Sequence, residues 1–485
     1  MSSNNNPGAV RAATTESAIT PPAGMAFVPV PFVRAAEPHA FWTLERVAQA
    51  LGTGPRSAHA LSGVSTDTRH IKQGDCFVAL KGENFDAHDF LAKAKENGAA
   101  AFVVSNPLAA VGLGVPTYVV DDTLVALGKL ATAWRRAWGG PVIAVAGSNG
   151  KTSTKDMLKA ALGSTLAVHA TTGNFNNLIG VPLTLLALPQ HAQIAVIEVG
   201  TNTPGEVGLL RAIVEPDMAV LTSIGEEHLE GLGDLAGVLR EESDIFQGVP
   251  LAIVPTAYPE VEPIARARST RVITAGLDTG DVKPTAWGLA ADGTGWLTVN
   301  EVTVKLALRG GHQVANATLV LAAVDACSVP LEKAAEALRT MPVPHMRGAW
   351  EELGAAVLIN DAYNANPASS RAALELLNSV GEGRQRVAVL GSMRELGLHA
   401  DAQHDEVARA ALRSKANIIA AVGDFAAAFT RVAPNDARLV FAPDFEDLWP
   451  RLEGRLDRNA VVLLKASRGA RLERLVPFLT DWAGK

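Results

Sequence analysis

Sulfur, excess positive charge and long apolar runs are all scarce in this chain of 485 residues. Two cysteines, Cys76 and Cys327, lie far apart and form no CxxC pair, which argues against a disulfide scaffold or a cysteine zinc site and fits a reducing cytoplasm. Acidic side chains outnumber basic ones by 50 to 43, for a formal charge of −7, so no overall basic field exists to hold nucleic acid or an anionic membrane surface. The longest apolar runs, such as Ala101-Phe-Val-Val104 and Val461-Val-Leu-Leu464, are strand-sized and far short of a membrane span. No sequence repeat with a period of about 20–50 residues is present. What remains is an ordinary globular composition, 48% hydrophobic and 19% charged. At about 150 residues per domain, the length predicts about three domains.

Residues 1–38 read as a disordered tail, since Ser2-Ser-Asn-Asn-Asn-Pro7 and the stretch around Pro21 and Pro22 have neither helical nor strand periodicity. The apolar segment 25–33 is broken by prolines and has no basic run directly before it, which argues against a secretory signal. Met1 and Met25 both remain open as the start. From Phe41 the chain becomes periodic, with Leu44, Val47, Ala48 and Leu51 at helical spacing. Residues 39–139 form a small α/β unit with strands at 76–80 and 101–104 and a helix at 90–97. In residues 140–345, strand candidates at 142–146, 194–199, 218–222 and 251–254 alternate with helical patterns, the signature of a parallel sheet. A turn at 310–313 then leads into an alanine-rich helix over 315–326. Residues 346–485 carry short apolar strands at 357–359, 386–390, 418–422, 439–441 and 461–464, which suggests a further doubly wound fold. The expected fold class is α/β in three domains: a small N-terminal α/β domain, a central P-loop domain on a doubly wound parallel sheet, and a Rossmann-like C-terminal domain.

The sharpest local signal is an apolar strand entering Gly147-Ser148-Asn149-Gly150-Lys151-Thr152-Ser153, followed by helical spacing at Met157, Leu158, Ala161 and Leu162. Glycines let backbone N–H groups approach phosphate oxygens, and the helix N-terminus adds a favourable field. Lys151 would place a positive charge on the β- and γ-phosphates, and Thr152 offers a hydroxyl to Mg²⁺. The spacing departs from GxxxxGK[ST], because the position five before Gly150 is Val145. Glu198 closes the strand candidate at 194–199 and His228 comes after the one at 218–222, at the strand ends where ligands collect in open α/β sheets. Hard Mg²⁺ prefers oxygen, so Glu198 is a natural ligand and His228 an unusual one. Taken alone, each reads first as a surface or capping residue. The same holds for the asparagine-rich turn over 171–177, for 361–367 and for 465–468, which simple turn or helix-start chemistry also explains.

Together these motifs resemble the Mur ligase family, ATP-dependent amide ligases that build the cell-wall precursor peptide. The resemblance runs from about residue 41 to the C-terminus. Residues 147–152 match the family's Gly-Thr-Asn-Gly-Lys-Thr phosphate loop, and Asp361-Ala-Tyr363-Asn364-Ala-Asn366-Pro367 is similar to the Asp-Ser-Tyr-Asn-Ala-Asn-Pro signature of the dipeptide-adding member. Members that add earlier residues tend to carry a histidine there. The resemblance implies UDP-N-acetylmuramoyl-tripeptide and D-alanyl-D-alanine as substrates, ATP and Mg²⁺ as cofactors, and a cytoplasmic monomer that neither binds nucleic acid nor inserts in a membrane. It assigns catalysis to Lys151, Glu198, His228 and Arg347, and ATP binding to residues 147–153 with Asn316, Arg347 and Asp361. It places Ser65, Thr66, Arg69 and Lys81 at the uridine nucleotide and Thr171, Thr172, Asn174, Asn176 and Asn177 along the muramoyl-peptide channel. Tyr363, Asn364, Asn366, Lys465, Ser467 and Arg468 complete the substrate set. The implied metal set is Thr152, Glu198, His228 and Glu242.

Departures from the family pattern are Leu178, Thr203 and Ser392, the last replacing an aspartate. Glu242, 14 positions past His228, stands where members often carry a carbamylated lysine. Its carboxylate is the expected stand-in for the carbamate. Rival readings are another Mur-type or folylpolyglutamate-type amino-acid ligase and, from a different class, a P-loop nucleotide switch.

Overall fold

The computed structural model describes residues 41–484. The expected tail over 1–38 and the choice of start lie outside the described residues.

Three sheet-centred units follow one another along the chain. In the first, β1 (Val64–Ser65), β2 (Cys76–Val78), β3 (Ala101–Val104) and β4 (Thr117–Val119) lie side by side in chain order, all parallel. The helix Leu44–Leu51 buries Leu44, Val47, Ala48 and Leu51, the four residues its spacing singled out. Tyr118 fixes that helix to the sheet, its hydroxyl donating to the Leu44 carbonyl at 2.7 Å. The helix Thr123–Trp138, capped by Asp122, leads toward the second unit. Its buried Arg135 donates to Val214 O at 3.0 Å and to Asp217 Oδ2 at 2.9 Å, joining the two units.

The second unit holds six parallel strands: β5 (Val142–Ala146), β6 (Val168–Ala170), β7 (Ile194–Glu198), β8 (Met218–Leu221), β9 (Leu251–Pro255) and β10 (Arg271–Ala275). Their order, β10-β9-β8-β5-β7-β6, places β5 between strands that run off in opposite directions. That reversal opens a crevice at the carboxyl ends of β5, β7 and β8. All five residues of β5 are buried, as the continuous apolar run requires. A three-stranded antiparallel sheet follows, made of β11 (Ala286–Leu289), β12 (Thr294–Val299) and β13 (Val302–Arg309). The sequence reading had no strand there. The next helix spans Gly311–Ala326, so residues 311–313, expected as a turn, form its first turn.

The third unit orders β14 (Ala349–Leu353), β15 (Ala356–Asp361), β16 (Arg386–Leu390), β17 (Ile418–Val422), β18 (Leu439–Ala442) and β19 (Val461–Lys465) as β14-β15-β19-β16-β17-β18. Only β14, an unexpected edge strand, runs antiparallel within this sheet. Both cysteines are free thiols inside cores, and burial pushes each up to about 12. Among the described residues, no helix is long and apolar enough to cross a membrane.

Candidate active site

The carboxyl ends of β5, β7 and β8 meet the third unit in a cleft of about 760 Å³. Its base is the loop over 147–150. Gly147 (φ 119°) and Gly150 (φ 87°) both take conformations that favour glycine. A Cβ on Gly147 would lie 2.4 Å from Thr222 Oγ1, and one on Gly150 would lie 2.7 Å from Asn316 Nδ2. The loop is braced from β8's far end: Ser148 N donates to Ser223 O at 2.9 Å, and Asn149 N to Ser223 Oγ at 2.8 Å. Beyond Gly150 the helix Lys151–Gly163 begins, and its first-turn N–H groups have no intrahelical acceptor.

Lys151 is anchored over the loop. Its Nζ donates to Gly147 O at 2.5 Å and Ser148 O at 3.2 Å, and pairs with Glu227 Oε1 at 3.2 Å. Burial works against the ammonium, but Glu227, Glu242 and Glu198 outweigh it and hold the pKa above its ordinary value. Glu227 is therefore a site residue that the sequence reading passed over, although it directly precedes His228.

Glu198 ends β7 and is 1% exposed. Its Oε1 accepts from Thr152 Oγ1 at 3.2 Å and Asn176 Nδ2 at 2.8 Å, and its N–H donates to Thr171 Oγ1 at 2.9 Å. The other oxygen, Oε2, has no hydrogen-bond partner and lies 3.9 Å from Lys155 Nζ. A buried carboxylate oxygen beside a threonine hydroxyl is a donor set that suits a hard cation such as Mg²⁺.

Glu242 is fully buried beneath the loop rather than in the cleft lining. Its Oε2 accepts from Gly147 N at 2.7 Å, while Oε1 has no partner. Burial first, and then the charge of Glu227, push its pKa up to about 7 against the opposing pull of Lys151, the Gly147 N–H and His228. Among the described residues, no set of three His, Cys, Asp or Glu side chains is arranged to hold a metal ion, so Glu198, His228 and Glu242 do not form one group.

His228 precedes the short helix Leu229–Leu232 in a left-handed conformation (φ 52°). Its Nδ1 contacts Glu395 Oε2 from the third unit, and its Nε2 lies 3.9 Å from Glu227 Oε2. Burial lowers its pKa, but Glu395 and Glu227 prevail and the net shift is upward.

The third unit supplies the opposite wall. Lys465 ends β19 and pairs with Asp361 at the end of neighbouring β15, Nζ to Oδ2 at 2.7 Å, while also donating to Asn364 O at 2.9 Å. The Arg347 guanidinium stacks over the Tyr363 ring at 4.1 Å, and that of Arg468 approaches the same ring at 5.7 Å. Ser467 braces the turn by donating to Ala365 O at 3.2 Å. Asn366 caps the helix Pro367–Ser379 and reaches Asn149.

The cleft thus gathers Ser148 through Ser153, Asn174, Asn176, Asn177, Glu198, His228, Asn316, Arg347, Asp361, Tyr363, Asn364 and Lys465 from the expected set. Gly147, Thr171, Asn366, Ser467 and Glu242 support it from behind through the contacts above. Thr172 and Arg468 are outside the lining. Ser65, Thr66, Arg69 and Lys81 belong to the first unit, away from this cleft. There Arg69 is exposed and bonded to Asp67, Nη2 to Oδ2 at 2.7 Å, and Lys81 lies 3.4 Å from Asp86. The Arg69 guanidinium holds the Asp67 carboxyl well below its usual range.

The family model described as "Mur ligase family, catalytic domain" matches residues 60–135, "Mur ligase middle domain" matches 145–324, and "Mur ligase, glutamate ligase domain" matches 348–468. UDP-N-acetylmuramoyl-tripeptide--D-alanyl-D-alanine ligase of Bacillus subtilis (strain 168) is 35% identical over 427 residues, covering 87% of this chain and 93% of that protein. The chain belongs to the Mur ligase family. Among solved Mur ligases, MurF from Acinetobacter baumannii is similar with a TM-score of 0.84 at 31% identity, covering 93% of this chain and 100% of that one. MurF ligase from Thermotoga maritima, solved in complex with ADP, gives 0.78 at 25% identity, covering 87% and 98%. Within this Mur ligase fold, the phosphate loop and the Asp361–Asn366 turn face one another across the cleft.

Proposed function

We propose that this chain is an ATP-dependent amide ligase that adds D-alanyl-D-alanine to UDP-N-acetylmuramoyl-tripeptide in peptidoglycan precursor synthesis. The observation that carries the reading is the single cleft in which Lys151 and His228 of the phosphate-loop unit face Asp361, Tyr363 and Lys465 of the third. The three units take the roles of a UDP-substrate domain (39–139), an ATP domain (140–345) and a C-terminal domain (346–485). The enzyme works as a cytoplasmic monomer.

A terminal carboxylate oxygen of the tripeptide attacks the γ-phosphorus of ATP, the bond to the β-phosphate oxygen breaks, and ADP leaves. The amine of the dipeptide then attacks the acyl phosphate carbonyl, loses a proton, and expels phosphate as the amide forms. Such chemistry depends on positioning and charge neutralisation. Lys151 neutralises the transferring phosphoryl group, with Glu227 holding its ammonium in place until phosphate oxygens compete for it. His228 and Arg347 add positive charge from two sides of the cleft. Thr152 and Glu198 would hold Mg²⁺, which supplies further charge neutralisation at the phosphates. Asn316 packs against Gly150 and lines the nucleotide side. Asn174, Asn176 and Asn177 line the peptide approach, while Ser65, Thr66, Arg69 and Lys81 serve the uridine nucleotide.

The test is phosphate release from ATP with each substrate alone and with both. Release that requires both supports the ligase, with amide product in equal amount. Slow release that ignores both marks a nucleotide switch, and release driven by glutamate with a folate marks the other ligase class.

A further inference from the structure

We propose that Glu395 is a positioning residue for His228: reaching across from the third unit, its carboxylate sets the imidazole that faces the phosphate loop. The inference rests on the reading above, in which His228 works at the phosphoryl group.

Two opposed nitrogens of one ring make the case. Glu395 Oε2 contacts His228 Nδ1, while Nε2 on the other side lies 3.9 Å from Glu227 Oε2. Glu227 Oε1 in turn lies 3.2 Å from Lys151 Nζ. A line of alternating charge therefore runs from the third unit through His228 to the phosphate loop. A carboxylate on one ring nitrogen fixes both the tilt of the imidazole and which nitrogen points the other way.

The backbone around the pair is built to bring these two side chains together. Both residues adopt left-handed conformations, His228 at φ 52° and Glu395 at φ 65°. Glu230 N donates to Glu395 O at 3.1 Å, and His399 Nε2 lies 3.1 Å from Gly233 O. A Cβ on Gly397 would lie 3.1 Å from Glu230 Cα, so the two segments approach as closely as a glycine allows. Because Glu395 belongs to the third unit and His228 to the second, the ring is oriented only while the units are docked. Docking thereby assembles the site as well as closing it.

The test uses the full chain with ATP and both substrates, comparing wild type, Glu395→Gln, His228→Gln and the double variant. Glu395→Gln keeps size and loses charge, and is expected to lower kcat by roughly tenfold to a hundredfold, as for other carboxylates that orient a histidine. KM for ATP should stay within about twofold, and Glu395→Gln should cost little more when added to His228→Gln. In ¹⁵N spectra the His228 Nδ1 resonance should move in Glu395→Gln, as the loss of a charged partner at that nitrogen requires, while the split between kcat and KM separates positioning from a purely structural tie. Unchanged kcat in Glu395→Gln, a rise confined to KM, fully multiplied losses in the double variant, or an unmoved Nδ1 resonance would each overturn the positioning role. Normal turnover by His228→Gln would instead remove His228 from the reaction, whatever Glu395→Gln does. Should Glu395→Gln fold poorly, the same comparisons are made with Glu395→Asp, whose shorter carboxylate is expected to restore kcat only in part.

Discussion

Asn366 Nδ2 donates to Asn149 Oδ1 at 2.8 Å, so the residue that caps a helix of the third unit also touches the phosphate loop of the second. Its own Oδ1 accepts from Ser369 N at 2.8 Å, which leaves the amide nitrogen for the crossing.

These two tasks separate by substitution. Asn366→Ser keeps a good cap but is too short to reach Asn149, whereas Asn366→Ala loses both. Both variants should lose about 5- to 10-fold in kcat/KM for ATP, the worth of one neutral hydrogen bond. Only Asn366→Ala should also lower Tm, by about 2–4 °C for a cap worth about 1 kcal/mol. Calorimetry and steady-state kinetics on the pair check this.

Lys151→Ala should cut kcat by about 10²–10³-fold, the range for removing a group that neutralises transition-state charge. Binding of the UDP-substrate, measured by titration calorimetry, should change little if, as proposed above, the uridine nucleotide is held by the first unit. The substitution strands Glu227, which is buried beside it, so Tm should also fall. Adding Glu227→Gln should recover Tm without recovering turnover.

Glu242 predicts a pH-dependent stability. Burial raises its pKa from 4.5 to about 7. Between those values the folded chain holds a proton that the unfolded chain has lost, so stability falls as pH rises through this window, by at most about 1.4 kcal/mol per pH unit. Below the window both states are protonated and above it both are ionised, so the slope vanishes. Urea midpoints should show this slope in wild type and lose it in Glu242→Gln. Glu241→Gln should keep the slope but lower Tm, because Glu241 accepts from Gly205 N at 2.6 Å and Val207 N at 2.8 Å at a helix start. Turnover should ignore added bicarbonate, since Glu242 carries a carboxylate without modification.

Gly147→Ala should abolish ATP-driven turnover. The added Cβ meets Thr222 Oγ1 and lies 2.9 Å from backbone atoms of Ser223, in a conformation (φ 119°) that side chains rarely adopt. Strain of this kind costs on the order of 1–3 kcal/mol. A fall in Tm together with lost nucleotide binding is the expected result.

The parts of this site read from sequence are those written in consecutive residues. The run 142–153 carries its strand, turn and helix start in one stretch, and Asp361 to Pro367 carries strand end, turn and cap. Glu242 was legible only through the resemblance, which sets it where members often carry a modified lysine, and its partner, Gly147 N, is a tertiary fact. Glu395 gave no local signal: its meaning depends on His228, which only the folded chain brings near. The unexpected β12 alternates half-exposed and buried residues over Thr294–Val299, and β14 carries Glu351 and Glu352 on a sheet edge. Neither makes the continuous apolar run that marked the buried parallel strands.

The two buried thiols have a practical consequence. With Cys76 and Cys327 enclosed and held protonated, a maleimide dye should find no native target in the folded chain. A cysteine placed at Val111, exposed on the first unit, and another at Leu398, exposed on the third, would then be the only reactive positions. Two dyes on that pair would act as a ruler, turning the approach of one unit to the other into a change in light as each substrate is added.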